Sequence, residues 1–256
     1  PLSSGGRRML TAADTLAPPK SEPRLAVRCR GIVKEFGSGE TRIRVLHGID
    51  LDVPTGAMTY IVGPSGCGKT TLISVIAGIL SAEEGEVELF GTRLRSLEST
   101  ALARFRADAI GFIFQQFNLL PALTAVENAS VPLLINGESE AKATRKARDL
   151  LAAVGLQDHL DKFPAQLSVG QQQRVAIARA LVHEPQLVIS DEPTASLDAQ
   201  TGQSAIELLR EHALNPDRAV IVVTHDDRIF RFADRIIRMS DGRITGIELP
   251  PFTEGH

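Results

Sequence analysis

The sequence predicts an α/β protein: a mainly parallel sheet flanked by helices, with an antiparallel β subdomain and an inserted α-helical subdomain. Three observations predict it. Short apolar runs at Met58–Val62, Ile110–Phe114, Leu187–Ser190 and Ala219–Thr224 read as buried strands, and the last two are bounded by helical patterns, the alternation expected of parallel strands covered by helices. Near the N-terminus Leu25, Val27 and Cys29 alternate with Arg28 and Arg30, and Ile49, Leu51 and Val53 with Asp50 and Asp52, the period-two pattern of half-buried antiparallel strands. Between residues 116 and 166 strand patterns disappear and a helical period takes over.

Composition fits this class. The 256 residues carry 28 Lys and Arg against 31 Asp and Glu, a net charge of −3, with 43% apolar and 23% charged residues. That balance supports a sizeable core and argues against a dedicated nucleic-acid binder, which would be strongly basic. The longest mostly apolar stretch, Leu72 to Leu80, is broken by Ser74 and Gly78 and falls short of the roughly 18 to 20 residues of a membrane span. Two cysteines, Cys29 and Cys67, are too few for a disulfide framework. With no Trp and one Tyr, the core must rest on Val, Ile and Leu.

Taken in order, residues 1–23 hold four prolines, a Gly-Gly pair and no aromatic residue, and read as a flexible leader. Arg7-Arg8 is followed by too short an apolar run for an export signal. A single domain is expected over 24–248, with a short tail at 249–256. Its first catalytic element is the strand Met58–Val62, a glycine-rich turn, and a helix from Lys69 to about Ile79. The helical insert spans about 116–166. There Ala143, Ala147, Leu150, Leu151 and Val154 mark one face of an amphipathic helix, while Pro121, Pro132, Gly137 and Pro164 divide the segment into short helices.

The chemistry concentrates at strand ends. Gly63-Pro64-Ser65-Gly66-Cys67-Gly68-Lys69-Thr70 matches G-x-x-x-x-G-K-[ST] after a strand and at the opening of a helix, with Thr71 following. Its glycines let successive N–H groups face phosphate oxygens, and the helix adds its positive end. Lys69 would reach the β- and γ-phosphates, and the Thr70 hydroxyl would ligate Mg²⁺. A bare glycine-rich turn without ligand is the alternative, which the Lys-Thr pair disfavours. Leu187–Ser190 ends in Asp191-Glu192, placing Asp191 to hold Mg²⁺ through its water shell and Glu192 as general base toward the attacking water. An acidic pair after a strand also starts helices, so this assignment leans on the phosphate loop. His225 closes another apolar strand; alone it would be a cap, but beside Lys69 and Glu192 it reads as a γ-phosphate sensor. Gln115 could reach Mg²⁺ and the water, although Gln116 leaves that register open. Cys67 reads as a small residue tolerated in a tight loop rather than a redox switch. Arg145, Lys146 and Arg148 read as a solvated helix face.

Leu167-Ser168-Val169-Gly170-Gln171-Gln172-Gln173-Arg174 resembles the signature motif of ATP-binding cassette (ABC) ATPases. The phosphate loop, Gln115, the signature, the acidic strand end, the loop Ser196-Leu197-Asp198 and His225 follow in that family's order, from about Leu25 to Ile247. The segments 111–120 and 191–198 are similar to the lipoprotein-releasing and macrolide-exporter subgroup. The resemblance implies a P-loop NTPase core, the helical insert plus a signature helix over 168–183, and ATP and Mg²⁺ as cofactors. It implies a homodimer with two ATP sandwiched between the phosphate loop of one copy and Ser168, Gly170 and Gln171 of the other. It further implies ATP hydrolysis driving a separate transmembrane permease through the insert, with a periplasmic adaptor as a further partner, at the cytoplasmic face of the inner membrane. Export or envelope work is the expected role; a non-transport ABC ATPase of cell division, repair or translation is the alternative. Two positions depart from the family pattern. Val169 replaces the first glycine of the signature pair, and Phe36 stands where a tyrosine usually stacks on adenine; a core phenylalanine at a strand end is the other reading of Phe36.

Overall fold

The computed structural model describes residues 24–249. The expected leader, with Arg7-Arg8, and the expected tail beyond Leu249 lie outside the described residues. Two sheets form the frame. One is four-stranded and antiparallel, ordered β2-β1-β4-β5, from β1 (Leu25–Phe36), β2 (Ile43–Pro54), β4 (Glu84–Leu89) and β5 (Thr92–Arg93). The apolar sets seen in the sequence meet across it, Val27 opposite Val53 and Cys29 opposite Leu51.

The second sheet is six-stranded, ordered β10-β9-β3-β8-β7-β6, from β3 (Met58–Val62), β6 (Ile110–Ile113), β7 (Leu187–Asp191), β8 (Ala219–Thr224), β9 (Arg235–Ser240) and β10 (Arg243–Glu248). All its pairs are parallel except β9 with β10. Strands β3, β7 and β8 are buried along their whole length, as parallel strands covered on both faces must be. Their alternation divides the core in two. Met58, Tyr60, Val62, Val188, Val220 and Val222 pack toward the helical side. Ile61, Leu187, Ile189, Ile221 and Val223 pack toward α1 (Lys69–Ile76) and the antiparallel sheet. Every parallel strand therefore delivers its carboxyl end to the same edge, between the two cores.

Helix α1 stops three residues before the expected Ile79, because the chain turns at Gly78 in the left-handed region (φ +64°). Helix α2 (Ser99–Ala109) leads into β6. In the insert, α3 (Ala125–Ile135) opens on a capping box in which Thr124 N–H donates to Glu127 (2.8 Å). Pro132 was expected to break the segment; instead it lies inside α3. The missing N–H there costs one helical bond, and the helix survives because Ala125, Ala129 and Leu133 bury its inner face. Helix α4 (Glu140–Ala153) buries Ala143, Ala147 and Leu151, as its period predicts. Arg148 pairs with Asp161 (3.1 Å) and Lys146 with Glu184 (3.9 Å), which makes this cationic face a solvated one. Helix α5 (Val169–Leu181) takes Ser168 as its cap and ends two residues before the expected 183; α6 (Ala199–Ala213) follows β7. Strands β4, β5, β9 and β10 have no counterpart in the sequence-based expectations. β4 reads EGEVEL, too acidic for a strand signal, and β10 is the edge strand of its sheet.

Candidate active site

A cavity of about 250 Å³ opens at the carboxyl ends of β3, β7 and β8. Ser65, Gly66, Gly68, Lys69, Thr70 and Thr71 form one wall; Gln115, Glu192 and His225 form the other, with Val45 at one end. The wall follows from local sequence. Gly63 passes so close to β9 that a Cβ there would stand 2.2 Å from the Met239 carbonyl, so only glycine lets the loop leave β3 at this point. The β9–β10 turn braces the loop from behind: Gly242 N–H donates to Cys67 O, and its carbonyl accepts from His47 N–H, both at 3.0 Å. Lys69 is buried, and its Nζ donates to the carbonyls of Gly63 (2.8 Å) and Pro64 (3.0 Å), which holds the ammonium over the loop.

Opposite it, the Thr70 hydroxyl donates to Asp191 Oδ1 at 3.2 Å. Burial raises the Asp191 pKa, the bond from Thr70 opposes the rise, and neighbouring Glu192 adds to it. These two hard oxygens fit Mg²⁺, which binds through one or two protein groups while keeping water and phosphate oxygens. Among the described residues no cluster of three His, Cys, Asp or Glu forms a metal cage.

Glu192 sits in the left-handed region (φ +48°), which turns its side chain away from the line of β7. Its N–H donates to Val223 O (2.8 Å), tying it to β8. His225 Nδ1 donates to Glu192 Oε1 (2.9 Å). Behind this pair Thr194 donates to Asp226 (3.1 Å), so the residues that follow Glu192 and His225 are bonded to each other too.

Of the residues singled out in the sequence, the structure brings Ser65 through Thr71, Gln115, Asp191, Glu192 and His225 to one place, apart from Cys67. Gln115 rather than Gln116 faces the cavity. Gly63 and Pro64 supply carbonyls to Lys69, and Cys67 is buried beneath the loop. Phe36 does not line the cavity. It ends β1 at 43% exposure, which excludes the core reading, with the Lys34 ammonium 5.2 Å from its ring centre. Ser168, Gly170 and Gln171 stand apart as well. Ser168 caps α5, accepting from Gln171 N–H (3.3 Å) while Gln171 Oε1 accepts from Ser168 N–H (2.9 Å). Val169 beside them is 46% exposed. Val45 was missed by sequence reasoning: one valine on a β2 strand of mixed exposure carries no signal of its own. A second cavity, of about 300 Å³ between α1, β4 and α2, has Arg95 as its one charged lining residue, and that guanidinium is taken up by the carbonyls of Ala82, Glu83 and Gly85.

Comparison with known proteins places this geometry. Residues 46–195 match the ABC transporter family. The chain is similar to the lipoprotein-releasing system ATP-binding protein LolD 1 of Caulobacter vibrioides, 43% identical over 220 residues, 86% of this chain and 94% of that one. An ABC transporter ATP-binding protein of Mycobacterium tuberculosis is 42% identical, and the match covers 86% of this chain but 66% of that protein. The macrolide export ATP-binding/permease protein MacB of Marinobacter nauticus is 41% identical; the match spans 89% of this chain and 36% of MacB. Among solved structures, the ATP-binding cassette MJ0796, a dimer in a post-hydrolysis state bound to ADP and Pi, superposes with a TM-score of 0.81 at 38% identity, covering 88% of this chain and 99% of that one. A family match over most of the catalytic core, together with a relative 43% identical along nearly its whole length, allows one conclusion: the chain belongs to the ABC transporter ATPases and is one of their ATP-binding cassettes.

Proposed function

We propose that the chain hydrolyses ATP in this cavity and, as a dimer closed around two ATP, drives a membrane-spanning permease in export or envelope work. The observation that carries the reading is the convergence of Lys69, the Thr70–Asp191 pair and the Glu192–His225 pair on one cavity. Loop amides and Lys69 Nζ bind the β- and γ-phosphates, the ammonium exchanging loop carbonyls for phosphate oxygens. Thr70 and Asp191 would hold Mg²⁺, which would neutralise phosphate charge. Glu192 orients the attacking water and takes its proton as the water oxygen bonds to the γ-phosphorus and ADP leaves. His225, held by Glu192, steadies the γ-phosphate, and Gln115, on the same wall, would reach the metal and the water.

Ser168, Gly170 and Gln171 do not reach this cavity within one chain, which supports a second copy presenting its α5 N-terminus to the nucleotide. Phe36, exposed at the end of β1, is proposed to stack on adenine. The insert joins Gln115 to α5 and is the proposed contact for the permease. Among the described residues no helix is long and apolar enough to cross a membrane. The similarity to LolD 1 and to MacB, whose name joins ATP binding to a permease, supports the membrane assignment. Work at the cytoplasmic face of the inner membrane, with a periplasmic adaptor beyond the permease, completes the proposal.

Phosphate release by Glu192→Gln tests it. Turnover is expected to fall by about a hundredfold or more while ATP affinity holds. A variant with full turnover contradicts the role of Glu192.

A further inference from the structure

The segment after Gln115 is held in an unusual way. Phe117 N–H donates to Phe114 O (2.9 Å), closing a turn whose two central residues are Gln115 and Gln116. The next two residues, Phe117 and Asn118, both lie in the left-handed region, at φ +59° and +49°. For a bulky residue such as Phe117 that conformation is a true outlier and persists only where its surroundings impose it.

Those surroundings are specific. The Phe117 side chain is buried in the helical-side core. Arg179, in the last turn of α5, donates from one terminal nitrogen to Asn118 O (2.6 Å) and from the other to Phe117 O (2.5 Å). Its guanidinium has no carboxylate within ion-pair distance among the described residues, and burial lowers its pKa. A half-buried arginine without a counter-ion is costly unless its donors are used; here they are used on the two carbonyls that the left-handed pair presents. Further along, the fully buried Asn128 of α3 receives Leu120 N–H (2.7 Å) and donates to the carbonyls of Leu120, Leu123 and Thr124.

We propose that Arg179 is a positioning residue for Gln115: its fork fixes the Phe117–Asn118 pair and makes the turn carrying Gln115 follow α5. This rests on the proposed role of Gln115 in hydrolysis. Helix α5 begins at the signature residues and carries Arg179 in its last turn, so the element that would meet a second copy's nucleotide also sets Gln115 in its own cavity. Gln115 then takes up its position according to where α5 sits relative to the sheet.

Two arms test this in the full chain. In the first, amide exchange of residues 115–120 is read by mass spectrometry for Arg179→Lys, which keeps the charge and most of the stem but cannot bridge two carbonyls as a fork. Exchange at this segment is expected to rise by about tenfold with the rest of α5 unchanged; unaltered protection overturns the clamp. In the second, Arg179→Lys is expected to lower kcat about tenfold with KM for ATP within about twofold, and to cost nothing further when Gln115→Ala is already present. Losses that multiply overturn the coupling and leave Arg179 a structural residue. Full turnover in Gln115→Ala overturns the role given to Gln115 and the catalytic consequence with it, while the exchange arm still decides whether the clamp exists.

Discussion

The phosphate loop and the N-terminal end of α5 are built by the same device and reach opposite states. Both are helix starts preceded by a short polar loop. At the phosphate loop the polar groups face one cavity: Lys69 is buried, Thr70 bonds Asp191, and Glu192 and His225 form the far wall. At α5 the polar groups satisfy one another in a capping box, and Val169 stands exposed beside them. One end is a finished half-site; the other is a stable surface with its helix dipole turned to solvent. Under the proposed function, the difference means that a single chain would enclose phosphate from one side only and carry the complementary side on a surface that faces away.

The comparison breaks most severely at Lys69. Lys69→Ala is expected to weaken ATP binding by about 10- to 100-fold, read by titration with a fluorescent ATP analogue, and unchanged affinity would remove the phosphate-loop role. Ser168→Ala cuts the other end: losing the cap is expected to cost about 1 kcal/mol of stability. ATP affinity of the isolated chain should hold while turnover falls several-fold. A fall in monomer affinity would mean that the two ends are not separate.

The smallest effect concerns acid. Because burial raises the Asp191 pKa, Mg²⁺-dependent ATP binding should weaken on acidification before ordinary surface carboxylates titrate. Stability of the free chain runs the other way. The folded state holds that proton more tightly than the unfolded one, so the Asp191 contribution falls as pH rises between the ordinary aspartate value and the raised one. A Mg²⁺ titration and a melting series across acid pH check the two signs, and Asp191→Asn should remove the Asp191 share of the acid-side change in melting.

Much of this was legible in the sequence because the chemistry sits where backbone periodicity ends. The strands Met58–Val62, Leu187–Ser190 and Ala219–Thr224 announce themselves by continuous apolar character, and they run directly into the glycine-rich loop from Gly63, the Asp191-Glu192 pair and His225. What stayed hidden depends on contacts between distant segments. Val45 enters the cavity only because β2 crosses beside Gly68, where a Cβ would meet the Val45 carbonyl at 3.2 Å. Arg179 looks like any polar residue on an amphipathic helix until Phe117 and Asn118 are seen to offer it their carbonyls. Pro132 misleads because a proline's local cost is visible in sequence, whereas the apolar face that outweighs it is not.

The central claim, that each nucleotide is enclosed by two chains, is tested most directly by sedimentation of Glu192→Gln with and without Val169→Glu. Val169 is exposed at the first position of α5, where an acidic residue favours the helix, so the second substitution spares the fold while placing negative charge at the surface proposed to meet phosphate. The account predicts that Glu192→Gln becomes a dimer on adding ATP and Mg²⁺, and that the doubly substituted chain binds ATP with unchanged affinity and stays monomeric. A Glu192→Gln chain that remains monomeric at saturating ATP, or a dimer indifferent to Val169→Glu, would contradict it.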